Sequence, residues 1–287
     1  LITPLNLDVG HEERHEFNLL DQLSDSKDVI VRDVEETVGK SIDSIGGLKK
    51  AAQKLGFDSK KTLGNYKYRG SIPLDVLKQL TEISDTDLDN KKAKLAAKRD
   101  AVELPARISV DSDLMRLIGY YLAEGYIRKS EKEDEQFYQV CFAYGEEQLK
   151  DNICECIESV FGILPSVEEN TITLSSNLAY EFISSLNAGT GAKDKKVPER
   201  IKKLPKERLS PLLAAYFAGD GSVEKGRLHV QATSVSRKLL DDIDMLLKRF
   251  GIFARYNSSE RKAGGILLDK YGKEHYETRM FESHKLH

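Results

Sequence analysis

Two nine-residue stretches, Leu117-Ile-Gly-Tyr-Tyr-Leu-Ala-Glu-Gly125 and Leu213-Ala-Ala-Tyr-Phe-Ala-Gly-Asp-Gly221, repeat one pattern. Each is an apolar run with small residues four apart, closed by a carboxylate and a glycine. The spacing predicts helices. Gly119 and Ala123 share one face, and Ala215 and Gly219 share another. A glycine inside a helix costs about 1 kcal/mol against alanine, so it has a packing reason there. Small residues stacked on one face let two backbones approach closely. Gly125 and Gly221 are expected at the helix-ending position, in the left-handed conformation. Glu124 and Asp220 then stand at two helix C-termini, where the dipole disfavours an anion. Brought together they repel and call for a counterion. A divalent cation such as Mg²⁺ takes carboxylate oxygens while keeping several waters.

The likeness extends past the motifs. Apolar residues Leu149, Ile153, Ile157, Val160 and Phe161 predict a helix from Glu146 ending at Phe161-Gly162-Ile163. Leu239, Ile243, Leu246, Leu247 and Phe250 predict another from Ser236 ending at Phe250-Gly251-Ile252. The glycine-to-glycine interval is longer in the first copy, and the excess is expected in a charged loop from Arg128 to Gln136. Between motif and helix each copy has a strand, Phe137 to Ala143 and Arg227 to Thr233. The second places Arg227, His229, Gln231 and Thr233 on a polar face suited to base edges, opposite Leu228, Val230 and Ala232. Short strands follow each helix, and 177–186 is expected as a helix closing the first copy. No such helix is visible after Tyr276, so the second copy is expected to be cut short.

These residues resemble the LAGLIDADG homing endonucleases in their single-chain, two-motif form. The resemblance rests on Leu117, Gly119, Ala123, Glu124 and Gly125, and on Leu213, Ala214, Gly219, Asp220 and Gly221, over about 107–287. Ala215 stands where the family usually has glycine. Gly219-Asp-Gly-Ser-Val223 and Lys195-Lys-Val-Pro198 are especially similar to endonuclease domains found inside inteins of archaeal type. The resemblance implies an α+β fold of two pseudo-symmetric αββαββα units, with saddle-shaped sheets and a central parallel helix pair. The halves are expected at 101–190 and 191–287. It implies divalent metal, Mg²⁺ with Mn²⁺ or Ca²⁺ as substitutes for binding, held by Glu124 and Asp220 and the carbonyls of Ala123 and Gly219. Lys195 matches the family's lysine near the scissile phosphate, with Lys196 beside it as a DNA contact. The second-half lysine stays open among Lys225, Lys270 and Lys273. The implied activity is site-specific hydrolysis of double-stranded DNA at a long asymmetric target, by a monomer. A catalytically inactive DNA-binding protein, an RNA maturase and a structural protein remain as alternatives.

Residues 1–100 lack the motif and are expected as a helical region with a linker. Leu48, Ala51, Ala52 and Leu55 predict a short helix stopped by Gly56. Asp58 or Ser59 is expected to cap a second, and Pro73 to begin a third. Helix, tight turn, helix over about 42–83 has the shape of a helix-turn-helix. Lys60, Lys61, Tyr66, Lys67, Tyr68 and Arg69 on its second element suit phosphate and groove contact. A small structural bundle is the alternative. Between Lys40 and Arg107 there are 15 Lys/Arg and nine Asp/Glu, which favours DNA contact. Asp85 to Arg99 is expected as a linker or exposed helix, and 1–40 has no assignment.

The net charge of −3 does not advertise a nucleic-acid partner, so that reading rests on local basic clusters. Cys141, Cys154 and Cys156 are too few for a disulfide framework, and point to a reducing, cytoplasmic setting. No apolar run suggests a membrane span or signal peptide. Beginning at Leu1-Ile2 and ending at Leu286-His287, the sequence as given is not expected to splice itself.

Overall fold

The computed structural model describes residues 14–23, 28–87, 92–97, 102–132, 135–223, 230–268 and 274–286. Residues 14–109 form β1 (Glu16–Asn18), α1 (Leu19–Gln22), β2 (Val29–Arg32), α2 (Glu35–Ile45), α3 (Leu48–Lys54), α4 (Lys60–Arg69), β3 (Ser71–Pro73), α5 (Leu74–Ser84), β4 (Lys94–Ala97), β5 (Glu103–Pro105) and β6 (Arg107–Ser109). The first repeat continues with α6 (Ser112–Glu124), β7 (Gly125–Lys132), β8 (Glu135–Ala143), α7 (Glu147–Phe161), β9 (Ser166–Glu168), β10 (Thr171–Ser175) and α8 (Asn177–Ser185). After α9 (Glu199–Lys202) the second has α10 (Lys206–Asp220), β11 (Gly221–Val223), β12 (Val230–Ser234), α11 (Arg237–Arg249), β13 (Tyr256–Leu268) and β14 (Glu274–Leu286).

The duplication is structural. The two sheets have the same order, β7-β8-β10-β9 and β11-β12-β14-β13, with antiparallel pairing throughout. Gly125 pairs with Phe142, as Gly221 pairs with Ala232. Phe142 in turn pairs with Ile172, as Ala232 pairs with Leu286. The helix-facing side is apolar: Val140, Phe142, Ile172 and Leu174 are buried in the first sheet. The other side carries polar groups, with Arg128 Nε donating to Gln139 Oε1 at 2.7 Å and Gln139 Nε2 to Ser175 Oγ at 3.0 Å. The second sheet has a matching pair, Gln231 Nε2 to Ser222 Oγ at 3.1 Å.

Local chemistry explains the helix ends. Asp111 caps α6 by accepting from the N–H groups of Asp113 and Leu114, at 3.1 and 3.0 Å. Ser176 caps α8 and Ser236 caps α11 in the same way. Gly162 closes α7 in the left-handed conformation.

Three expectations are corrected. Gly125 and Gly221 are not left-handed: their φ/ψ of −82/154 and −80/146 are extended, and each starts a strand. Glycine is required there by proximity, because a Cβ at 125 would lie 2.6 Å from Tyr121 Cα and one at 221 would overlap the Phe217 carbonyl. The charged stretch 128–136 is largely strand rather than loop, since β7 and β8 pair out to Lys132 and Glu135. Residues 14–109 are not purely helical: β3-β2-β4-β5 form a sheet. Lys94 to Ala97, expected in a linker or helix, is its third strand because Leu95 and Ala96 bury against β2 and β5.

The start of the described chain is tied to the first repeat. β1 pairs with β6 in register Phe17 to Ile108, and the Phe17 ring meets Phe182 edge-on at 5.6 Å. One contiguous apolar core runs through both repeats and the N-terminal elements.

Candidate functional site

α6 and α10 lie against each other along the faces carrying the small residues. Gly119 faces Ala215, where a Cβ would overlap the Leu212 carbonyl and come within 2.8 Å of the Ala215 Cβ. One turn on, a Cβ at Gly219 would lie 2.6 Å from the Ala123 Cβ. Positions 119 and 215 are equivalent in the two motifs, as are 123 and 219. Equivalent residues therefore meet across the seam, as they do when twinned helices run parallel about a local twofold axis. That packing carries Glu124 and Asp220, the last residues of α6 and α10, to the same end.

The two carboxylates sense one another. Burial pushes the Asp220 carboxyl up from 3.8 to about 7, Glu124 raises it further, and Lys195 opposes both. Glu124 is also raised, first by burial, with Lys195 again opposing. Lys195 is the cation at this junction. Its ammonium donates to the Ala123 carbonyl at 2.9 Å, stands 5.8 Å from the Tyr121 ring centroid, and only 5% of the residue is exposed. Burial pulls it down from 10.5 to about 8, while Asp220, Glu124 and Asp194 support the charged form.

The loop that carries Lys195 is held at several points. Tyr121 Oη donates to the Gly189 carbonyl at 2.7 Å. Asp194 accepts from the N–H groups of Thr190 and Gly191, at 2.9 and 2.8 Å. The second repeat grips the same loop: Ser236 Oγ donates to the Lys195 carbonyl at 2.6 Å, and Val197 N–H donates to Asp242 Oδ2 at 3.1 Å. Asp242 is 2% exposed and also accepts from Lys202 and Lys238, at 2.7 and 2.9 Å. Tyr121, Asp194, Ser236 and Asp242 were not singled out from the sequence. Only the serine-started helix at 236 left a readable trace.

The donor set fits a hard divalent cation in kind: two carboxylates and helix-terminal carbonyls, all oxygen. It supplies few protein ligands, since the described residues hold no cluster of three or more His, Cys, Asp or Glu placed for a metal. The Ala123 carbonyl is engaged by Lys195, so a metal that used it would displace the ammonium.

The remaining candidates divide. Lys60, Lys61, Lys67, Tyr68 and Arg69 are exposed on α4, Tyr68 by 90%. Ser59 caps this helix through Lys61 N–H at 3.2 Å, and Gly70 ends it. Tyr66 is half-buried with its ring edge-on to Phe57 at 6.4 Å, a packing position. Lys196 is half-buried, and its N–H donates to the Ala188 carbonyl at 3.0 Å. Gln231 lies on the polar face of β12. Arg227, His229, Lys225, Lys270 and Lys273 lie outside the described residues. Arg128, Gln139 and Ser175, on the matching face of the first sheet, went unnoticed because the sequence marks Arg128 only as part of a charged run.

Paired helices that each deliver one acid to a seam, backed by two like-ordered antiparallel sheets, define the LAGLIDADG class of fold. Residues 209–278, which run from α10 into β14, match the family model described as a LAGLIDADG-like domain, and the chain carries that domain. The DNA polymerase II large subunit of Thermococcus kodakarensis is 36% identical over 212 residues, covering 71% of this chain and 12% of that protein. The DNA-directed RNA polymerase subunit Rpo1C of Methanocaldococcus jannaschii is 30% identical over 205 residues, covering 69% of this chain and 23% of that protein. The chain thus spans a minor part of the length of these curated relatives. Among solved structures, mesophilic variants of the homing endonuclease I-DmoI match at a TM-score of 0.42 and 14% identity, over 62% of this chain and 84% of theirs. I-DmoI in complex with DNA and Mn matches at 0.41 and 15%, over 62% and 89%.

Proposed function

We propose that the chain is a site-specific, divalent-metal-dependent double-strand DNA endonuclease. The observation that carries this reading is the double close contact, Gly119 on Ala215 and Gly219 on Ala123, which gathers Glu124, Asp220 and Lys195 at one end of the helix pair. Two carboxylates that resist sharing a buried site, beside one positively charged lysine, form a site that gains from a bound cation. Glu124 and Asp220 would hold a metal such as Mg²⁺, with the Ala123 and Gly219 carbonyls as further ligands. A metal there supplies Lewis-acid stabilisation and an activated water. Lys195, freed from the carbonyl, is placed to stabilise negative charge on a phosphate.

The polar sheet faces are suited to lie in the major groove, with Arg128, Gln139, Ser175, Ser222 and Gln231 as readers of base edges. The basic face of α4 adds sequence-independent phosphate contact in a helix-turn-helix manner. The short stretches matched in both a DNA polymerase subunit and an RNA polymerase subunit support an element inserted into longer hosts, as an intein endonuclease is. Shared polymerase chemistry would not confine the likeness to 12% and 23% of those proteins.

The test is selection of cleaved sites from a randomised duplex library, with Mg²⁺ and with chelator. The expected result is a long asymmetric consensus cut on both strands only with the metal, and lost in Asp220→Asn. Duplex binding without cleavage in Mg²⁺ or Mn²⁺ would overturn the enzymatic reading.

A further inference from the structure

The duplication lets each repeat serve as a reference for the other. Counting back the same number of residues from the Phe-Gly-Ile turns at Phe161 and Phe250 pairs Ile153 of α7 with Asp242 of α11. Both positions are buried, Ile153 at 0% exposure and Asp242 at 2%. An isoleucine therefore satisfies the fold at this helix position, and a carboxylate there has to overcome the cost of leaving water. Stability alone does not account for it, because replacing a buried ion pair by apolar groups of similar size is often neutral or stabilising. The helix starts differ in the same sense. α7 opens without a side-chain cap, whereas Ser236 caps α11.

Both polar departures face the loop that carries Lys195. The Asp242 carboxylate divides its oxygens. Oδ1 takes the ammoniums of Lys202 and Lys238 at 2.7 and 2.9 Å, and Oδ2 accepts from the Val197 N–H at 3.1 Å. The Lys202 side chain is only 7% exposed, and Arg249 Nη1 donates to the Lys202 carbonyl at 2.9 Å. Ser236 Oγ donates to the Lys195 carbonyl at 2.6 Å and accepts from the Leu239 N–H at 3.1 Å. The backbone at 195 and at 197 is thus tied to one helix, and from it the Lys195 ammonium reaches the Ala123 carbonyl of α6.

We propose that Asp242, together with Ser236, is a positioning residue for Lys195, fixing the backbone from which the ammonium reaches the seam. The part that Lys195 plays in cleavage rests on the endonuclease reading. Asp242 and Ser236 touch neither carboxylate of the seam and act through the loop. The Ser236 N–H donates to Ser234 Oγ at 3.1 Å, so the end of β12 and the lysine share one support.

Two double variants separate positioning from stability. Asp242→Ile with Lys202→Met copies the apolar solution of the first repeat and removes the acceptor of the Val197 N–H. Asp242→Asn with Lys202→Gln replaces the ion pair by an amide pair and keeps an acceptor for that N–H. Urea unfolding checks that each is folded. The single-turnover rate at saturating duplex is expected to fall at least tenfold in the first and to recover to within about threefold of wild type in the second. A second readout needs no cleavage. In NMR of isotope-labelled lysine, the Lys195 ε-methylene signal is displaced by the Tyr121 ring, whose centroid lies 5.8 Å from Nζ. That displacement is expected to vanish in the first variant and persist in the second. Ser236→Ala, which removes one cap bond and the grip on the Lys195 carbonyl, is expected to shrink the displacement and slow cleavage at least threefold. It decides the matter if the apolar pair does not fold. An unmoved Lys195 signal in the apolar pair or in Ser236→Ala overturns the proposal, and so does a lost signal with cleavage at the wild-type rate. A wild-type chain that cuts no duplex refutes the endonuclease reading alone, and the lysine signal still decides whether Asp242 and Ser236 hold Lys195.

Discussion

Replacing Asp220 with asparagine is expected to stabilise the protein while abolishing cleavage. The native environment pushes the Asp220 carboxyl up from 3.8 to about 7, so the folded chain binds a proton that the unfolded chain has released. Between pH 4 and 7 the native state holds the extra proton, and stability falls as pH rises through that window. Above pH 7 the cost of the ionised group is complete. Roughly 1.4 kcal/mol per pH unit over about three units gives about 4 kcal/mol at most. Asparagine cannot ionise and escapes this cost. Part of the gain returns through Lys195, already pulled down to about 8, which loses the charge that most favours its protonated form. The net expectation for Asp220→Asn is a gain of about 2–4 kcal/mol at pH 8, shrinking towards zero near pH 4. Urea unfolding in chelator at pH 4.5, 6 and 8 measures it, with hydrogen exchange of α6 and α10 localising the change. Added Mg²⁺ should then stabilise wild type, by about 2.7 kcal/mol at a hundredfold excess over its dissociation constant, and leave the variant nearly unmoved. A stability difference that does not vary with pH, or a variant weaker than wild type at pH 8, refutes the account of a charge-strained seam.

Gly119→Ala is expected to cost about 1–3 kcal/mol in a denaturant melt, because the new Cβ must part α6 from α10; Gly145→Ala, with open space around it, should stay within about 0.5 kcal/mol of wild type. Lys195→Gln should lower the single-turnover cleavage rate at least tenfold, and should tighten divalent-metal binding measured by calorimetry, since it frees the Ala123 carbonyl. Changing Lys60, Lys61, Lys67 and Arg69 together to glutamine should reduce the salt dependence of duplex affinity by about 0.9 in the log–log slope for each phosphate contact removed. Asp242→Ala should cost about 3–5 kcal/mol, because it removes an ion-pair partner of the buried Lys202 ammonium and leaves the buried Val197 N–H without its acceptor.

The helix pair was legible because its signal is local. Small residues at a spacing of four, a terminal acid and a following glycine all fall within nine residues, twice. What that glycine does was not legible. A glycine that ends a helix left-handed and one that admits a neighbouring backbone look alike in sequence, and Gly125 and Gly221 are the second kind. Strands of three or four residues such as β3, β4 and β5 are too short to show a period, so the N-terminal sheet was lost within a region read as helical. On α4 the composition marks Tyr66 and Tyr68 alike. Only the position of Phe57 separates a packed ring from one 90% exposed.

The deepest gap concerns the counterion. Two acids at adjoining helix ends require positive charge nearby, and sequence reasoning assigned that role to a metal. The structure supplies a cation from the chain itself, 72 positions along from the carbonyl it binds. No window of sequence reveals that contact, because it depends on the loop being anchored from both repeats, through Tyr121 on one side and Ser236 and Asp242 on the other. The arrangement has a consequence for the metal. An ammonium that already neutralises the seam and occupies one carbonyl opposes a second cation there. On the proposed reading, metal affinity would be set by how readily Lys195 withdraws, and an anionic phosphate drawn to that lysine would help it do so. Cation and duplex should in that case bind more tightly together than either does alone.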